Sequence, residues 1–458
     1  MKITFCFHTS ALEFNIGIAF LSAALQPLAV DVDLVIFREI SEIPGKSIDT
    51  VEETVQRILD KKPSIVAFSI MTFNWRKIQQ VITKLRPEFK GLIIVGGYHA
   101  ILCPDEVLEF PGVDAVCLGD GEQPLIDLVN FFHDRPLHEV PDIPGMRFKR
   151  GEPNKITKPW VMERLADYPY MDYELFLNER EQTFSEKYIG VLYPTGIYSL
   201  SVLTARGCPY KCTYCNNSTV MDILGGPKMF LRHYPAATVV DHIKNITNQY
   251  APDFIEFFDE MFIKSASWNK EFCERYQKEV NLPFSILMRI DLCKDKMVRL
   301  LAESGLKLVF FGLECGDEEY RTRYMNRKMS NQKILKGAEI LRKHGIMLVT
   351  FNMFGLPFET QQTIESTISL NRMVQPDAAF SFFYQPLPNT QLGKLAKDNG
   401  MIATPPEGQW DLHCSLGINN PNLPSEYIVK QVEAFSAEFN STERFQQFIG
   451  KLRACTGK

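Results

Sequence analysis

Twice along this chain, short apolar runs alternate with stretches of helical periodicity, and a chain so patterned buries its strands in helix-covered parallel sheets. The first series is KITFCF (2–7), DLVIF (33–37), SIVAFSI (64–70), LIIVGG (92–97) and DAVCLG (114–119), all short and rich in branched or aromatic residues. Intervals 15–28, 49–60, 74–86, 104–110 and 122–133 fit helices, so residues 1–135 are expected to form a doubly wound (Rossmann-like, flavodoxin-like) parallel sheet. The second series is SLSVLTA (199–205), DFIEFFD (253–259), FSILMRI (284–290), LKLVFFGLE (306–314), IMLVTFNMFG (346–355) and AAFSFFY (378–384). With helical intervals at 236–250, 265–279, 293–304, 330–344 and 359–374, it predicts a partial (β/α)6 barrel of TIM type over 199–392. Residues 136–198, rich in proline, tyrosine and charge, read as a linker. Residues 393–458, with EYIVKQVEAFSAEF, read as a helical carboxyl-terminal region supplying substrate contacts or a lid, whose mixed content, with Trp410, His413 and Phe445, names no substrate class.

Both folds bind ligands beyond the carboxyl ends of their strands. In the first series those ends read SIMTFNW (69–75), GGYHA (96–100) and GDGE (119–122), where glycines let a backbone approach a ligand closely. A lone His99 there reads first as a hydrogen-bonded structural histidine. In the second series the loop after the first strand reads TARGCPYKCTYCNNS, with Cys208, Cys212 and Cys215 spaced C-x₃-C-x₂-C and no fourth cysteine nearby. Structural zinc takes four protein ligands, and a cubane cluster has four irons to anchor. Three thiolates on a cubane leave one iron open, which is the mark of a catalytic metal centre.

Composition narrows the field. Eleven cysteines, eight of them standing singly, do not suggest a disulfide framework. A formal charge of −5 gives no electrostatic reason to expect nucleic acid as a partner. No apolar run approaches membrane-spanning length, and MKITFCF reads as a strand rather than a signal peptide, so a cytoplasmic protein is expected.

The cysteine motif, with Tyr214 before its last cysteine, resembles the radical S-adenosylmethionine (SAM) superfamily. FFDEMF (257–262), FGLECG (311–316), FGLPFET (354–360) and QPLPNTQL (385–392) extend the likeness along the barrel. VGGYHA, LGDGEQPL, IPGMRF and LADYPYMDYELF make the whole chain similar to the subgroup with an amino-terminal cobalamin-binding domain. The resemblance implies a [4Fe-4S] cluster on Cys208, Cys212 and Cys215, and a SAM site drawn from Tyr214, Asp259, Glu260, Arg289, Glu314, Tyr384 and Gln385. It implies cobalamin near Ser69, Thr72, Gly96, Gly97, His99, Gly119, Asp120, Gly121 and Glu122. The loop FHTSALEFNIG lacks the D-x-H-x-x-G motif that supplies a cobalt-ligating histidine, and DLHCSLG (411–417) has the wrong spacing and domain. Three positions depart from the family pattern: Cys315 replaces a serine, and Phe358 and Asn389 replace glycines.

The implied activity is C-methylation of an unactivated carbon of a small-molecule or natural-product substrate, with electrons from a donor such as flavodoxin or ferredoxin. Oxidative ring formation or rearrangement without methyl transfer is the alternative. A methylthiotransferase fits less well, because Cys6, Cys103 and Cys117 do not make an obvious second cluster site. A non-catalytic corrinoid or redox sensor would be expected to carry the histidine motif or a fourth cluster ligand.

Overall fold

The structure is a computed structural model that describes residues 1–9, 14–39, 48–150, 157–181, 196–403 and 415–457. Trp410, His413 and much of the loop after the first strand lie outside the described residues. The chain divides into two compact units, Met1–Ile189 with Thr219–Arg232, and Gly190–Ser218 with His233–Lys458.

The amino-terminal unit is built on a six-stranded sheet. In chain order its strands are Lys2–Thr9, Asp31–Arg38, Ile65–Ser69, Leu92–Gly96, Ala115–Cys117 and Met146–Phe148, and in space they lie 2-1-3-4-5-6. The first five are parallel and the sixth is antiparallel to the fifth. An order of 2-1-3-4-5 is the flavodoxin-like winding, whose crevice opens between the first and third strands. The helix Trp75–Leu85 shows why the pattern folds this way: Ile78, Val81, Ile82 and Leu85, at helical spacing, are all fully buried on the sheet. The helix expected over 104–110 is preceded by a second short one, Tyr98–Leu102, and the two meet at Cys103 ahead of Pro104.

Much of the stretch read as a linker is integral to this unit. Met146–Phe148 closes the sheet edge, Tyr173 stacks on Phe14 at 5.3 Å, and Ser22 Oγ donates to Asp172 at 2.7 Å. Thr219–Arg232 also belongs here: Val220, Met221, Leu224 and Phe230 share an apolar cluster with Ile101 and Leu102. Apolar residues spread over 160–176 gave no period by which sequence alone could reveal this packing.

The second unit carries six parallel strands in sequential order: Ser199–Val202, Phe254–Phe257, Phe284–Leu287, Leu306–Glu314, Met347–Phe354 and Ala378–Phe383. Helices Ala236–Tyr250, Ala266–Glu279, Asp295–Glu303, Asn331–Lys343 and Gln361–Val374 alternate with them, which is the expected partial barrel. Strand alternation sends Thr350 outward to Asn371 of a covering helix, at 2.8 Å. The opposite faces, through Phe254, Leu308, Phe310, Met347, Val349 and Ala378, share a core with Phe448, Ile449 and Leu452 of the last helix, Thr442–Thr456. That helix therefore plugs one end of the barrel. No helix among the described residues is long and apolar enough to cross a membrane.

Leu452, with no exposed surface, is the centre of the plug. Leu452→Ala is expected to destabilise the protein by about 2–5 kcal/mol, read as a lowered midpoint in urea denaturation followed by circular dichroism.

Candidate functional site

The loop after the first barrel strand is tied down from several sides. Gly207 turns it with φ +91°, and the Thr213 and Leu392 amides make backbone bonds to Met325 (3.2 Å) and Thr213 (2.9 Å). Asn326 Nδ2 donates to the Lys211 carbonyl at 2.8 Å, and Ser218 Oγ reaches the carbonyls of Cys212 and Cys215 at 3.0 and 2.8 Å. All three cysteines are free, with Cys212 buried and Cys208 and Cys215 half-buried. Burial pushes the thiol of Cys208 up to about 11 and that of Cys215 up to about 12, and the Glu260 carboxylate adds to both. Such thiols surrender their protons readily only to a bound cation. A short, braced loop of three unpaired thiols is a donor set that fits an iron–sulfur cluster.

Beside the loop lies a buried ionic network. Tyr214 Oη donates to Glu314 Oε1 at 3.1 Å. Arg327 stands 3.3 Å from Tyr214 Oη and 4.0 Å from Cys212 Sγ, and also donates to the Gly312 carbonyl. Its Nε has no partner among the described residues. Burial raises the Glu314 carboxyl above the usual carboxylate range, although the Arg327 charge and the Tyr214 hydrogen bond pull the other way. Glu314 ends its strand in the left-handed region, φ +68°, where the ladder to the next strand slips. A Cβ on Gly312 would lie 2.0 Å from Glu314 Oε1, so only glycine leaves room for the carboxylate to fold back. Strain of this kind persists where surrounding structure over-determines it, typically at a working site.

The other residues named for SAM have varied surroundings. Asp259, almost fully buried, accepts from Thr204 N (3.2 Å) and Thr204 Oγ1 (2.7 Å), and pairs with Lys264 at 3.4 Å, so it clamps the first two strands. Glu260 is exposed, yet its carboxyl faces Asn217 and the cysteine thiols, as in a concave opening. Arg289 pairs with Asp291 through two contacts of 3.0 Å and lies 4.0 Å over the Tyr210 ring, bracing the cysteine loop. Tyr384 is buried in an apolar cluster with Cys315, Tyr320 and Leu356, while Gln385 Nε2 donates to the Ser415 carbonyl at 2.8 Å.

Two of the three departures have a backbone consequence. Phe358 and Asn389 adopt φ +60° and +62°, conformations that glycine enters freely and phenylalanine does not. Phe358 is held there by stacking on Tyr324 at 5.4 Å. The sequence reading missed Arg327. It lies in YRTRYMNRKMS (320–330), thirteen residues past Glu314, and no spacing rule ties an arginine there to the cysteines.

In the amino-terminal unit the strand ends are lined by backbone. Gly97 (φ +99°) and Gly119 (φ +90°) sit so tightly that a Cβ would lie 2.5 Å from the Ile70 carbonyl oxygen and 2.1 Å from that of Trp160. Gly96 ends the fourth strand, Gly121 precedes the helix Glu122–Phe131, and Glu122 is buried. Ser69 Oγ accepts from Asn15 Nδ2 at 3.4 Å. Asp120 accepts from Met162 N at 2.9 Å and is paired with Arg232, so its carboxylate holds its own unit together. His99 bonds Thr72 Oγ1 at 3.2 Å and Glu106 at 3.4 Å and is buried.

A braced three-thiol loop at the mouth of a parallel barrel defines a radical SAM protein, and residues 202–370 match the profile of the radical SAM superfamily. Residues 8–129 match the B12 binding domain, so the chain joins a cobalamin-binding domain to a radical SAM domain, the combination whose cofactors are a [4Fe-4S] cluster, SAM and cobalamin. It is 22% identical over 374 residues to an uncharacterized methyltransferase of Pyrococcus horikoshii, covering 80% of this chain and 76% of that one. It is 25% identical over 361 residues to the anaerobic magnesium-protoporphyrin IX monomethyl ester cyclase of Rubrivivax gelatinosus, covering 75% of this chain and only 60% of the cyclase. The fold is shared with the radical SAM methyltransferase TsrM from Kitasatospora setae, solved with cobalamin and a [4Fe-4S] cluster. That superposition has a TM-score of 0.66 at 15% identity and covers 94% and 90% of the two chains.

Arg327→Ala removes a buried cation from a carboxylate and a tyrosine. It is expected to cost about 3–5 kcal/mol in guanidinium denaturation of the cluster-free protein, with Arg327→Lys recovering part of the loss. Glu359, in FGLPFET, gives a pH signature. Its carboxyl is fully buried and accepts from the amides of Gly355 (2.7 Å) and Leu356 (3.3 Å), yet burial pushes it up from 4.5 to about 8. The folded state keeps a proton that the unfolded chain loses above pH 4.5, so this group's contribution to stability falls as pH rises to about 8 and then levels off. Glu359→Gln is expected to flatten that slope, measured as urea midpoints between pH 5.5 and 8.5.

Proposed function

We propose that this enzyme methylates an unactivated carbon of a small, largely apolar substrate held in the barrel lumen, with Cys208, Cys212 and Cys215 anchoring the cluster. The observation that carries the reading is the lining of the lumen. At the plugged end the inward-facing side chains are sealed, whereas nearer the strand carboxyl ends Leu287, Phe351, Phe380 and Phe382 stay partly exposed. Phe310 and Phe351 stack at 5.7 Å with rings 8° from parallel, and Phe380 and Phe382 lie 6.0 and 5.8 Å from Phe351. The first two strands present a polar side instead, where Ser199 Oγ donates to the Glu256 carboxylate. An aromatic wall facing a carboxylate suits a substrate with an extended apolar body and one polar handle.

When bound, the cluster, SAM and cobalamin supply a 5′-deoxyadenosyl radical and a transferable methyl group. The chain's part is placement and exclusion. Glu314, with Tyr214 on one oxygen, offers its other oxygen to an ammonium or hydroxyl of the cosubstrate, and Glu260 offers a second carboxylate at the same mouth. Arg289 and Arg327 keep the cysteine loop in one geometry, so the reacting carbon is presented at a fixed distance. The phenylalanine wall keeps water and stray hydrogen-atom donors away from a radical. In the amino-terminal unit, the strand-end backbone at Ser69, Gly96, Gly97 and Gly121 would admit the cobalamin tail. Electrons come from an external donor, for which flavodoxin or ferredoxin is the proposed class.

Oxidative cyclisation without methyl transfer is the second reading, and the likeness to the magnesium-protoporphyrin cyclase favours it. Anaerobic reconstitution with iron, sulfide, cobalamin, SAM and reductant tests both. The expected result is 5′-deoxyadenosine from the wild type and none from Cys212→Ala, with S-adenosylhomocysteine formed alongside it. 5′-Deoxyadenosine without S-adenosylhomocysteine supports cyclisation, and equal yields from Cys212→Ala contradict the cluster assignment.

A further inference from the structure

One set of three donor side chains among the described residues brings a ligand atom from each within 4.8 Å of the others: His99, Cys103 and Glu106. His99 lies on the short helix Tyr98–Leu102, Glu106 on the short helix Pro104–Glu109, and Cys103 at the non-helical junction between them, and the bend there brings the three together. A transition-metal ion is the ligand that an imidazole, a thiol and a carboxylate share, and zinc is commonly bound by all three.

The distances favour an ion over a simple ion pair. A charge-assisted hydrogen bond between imidazolium and carboxylate settles near 2.7–2.9 Å. His99 Nε2 and Glu106 Oε1 are 3.4 Å apart, which is long for that bond. Two ligands at about 2.0–2.1 Å from a tetrahedral zinc stand roughly 3.3–3.4 Å from each other. The surroundings are those of a ligand set as well. Thr72 Oγ1, 3.2 Å from His99 Nδ1, can accept a hydrogen bond from Nδ1–H, the tautomer that leaves the Nε2 lone pair for a metal. Trp75 Nε1 donates to Glu106 Oε1 at 3.0 Å and orients the carboxylate. His99 is buried, whereas the Glu106 side chain is 55% exposed, so the set opens to solvent on one side, where water can supply a fourth ligand.

We propose that His99, Cys103 and Glu106 bind one zinc ion, completed by water, that fastens together the two helices following the Gly96–Gly97 turn. Binding displaces the Cys103 proton to solvent and involves no change of oxidation state. The three donors belong to the amino-terminal unit and share no residue with the cluster loop, so the test can be made without the cluster. Full-length protein carrying Cys208→Ala, Cys212→Ala and Cys215→Ala would be titrated with Co²⁺ as a spectroscopic probe, then with Zn²⁺. The expected result is one equivalent bound with a thiolate-to-cobalt charge-transfer band, lost on zinc addition. Cys103→Ser should abolish that band, and Glu106→Gln should weaken binding by about tenfold or more. Folding of each variant is checked by its circular dichroism spectrum, and the parent's melting temperature should rise with zinc while that of Cys103→Ser should not. Superimposable cobalt titrations for the parent and Cys103→Ser would overturn the proposal and leave a hydrogen-bonded Thr72–His99–Glu106–Trp75 chain only.

Discussion

One buried guanidinium holds the barrel mouth together. Arg327 reaches the Gly312 carbonyl, the Tyr214 hydroxyl and the neighbourhood of the Cys212 thiol, and through Tyr214 it serves Glu314. Each of those groups would be costly to bury alone, and the carboxylate and thiolate forms most of all. With the cation present, the cysteine loop and the end of the fourth strand become one rigid body. Glu314 can then be kept in a left-handed conformation, and Gly312 must be glycine to accommodate it.

The two units apply a common rule with different materials. Each exposes the carboxyl ends of parallel strands, where backbone amides and carbonyls are free of the ladder. The barrel fills that position with ionisable side chains and thiols. The sheet of the amino-terminal unit fills it with glycines, and the carboxylate of Asp120 there is used internally, on Arg232. A site made of backbone suits a large cofactor recognised by shape, and a site made of thiols and carboxylates suits metal and a charged cosubstrate.

The architecture could be read from periodicity because both sheets are buried on two faces, so strands such as SIVAFSI and LKLVFFGLE stand out as continuous apolar runs. The cysteine spacing carried its own chemistry. What escaped was whatever depends on which loops meet. Arg327 lies 112 residues beyond Cys215 in sequence and touches the same loop. The sequence pairs Asp259 with Glu260 but does not reveal that Asp259 accepts from Thr204 while the Glu260 carboxyl faces Asn217. The segment 157–176 read as an ordered linker because its buried anchors, Met162, Leu165, Met171, Tyr173 and Phe176, follow no helical or strand period.

The central claim is that three cysteines hold a cluster whose fourth iron is kept for a cosubstrate. Electron paramagnetic resonance of the reduced, reconstituted protein, recorded with and without SAM, tests it directly. The account predicts a [4Fe-4S]⁺ signal whose g values shift when SAM is added. A reduced-cluster signal indifferent to SAM would contradict it, since every iron would then be closed to the cosubstrate.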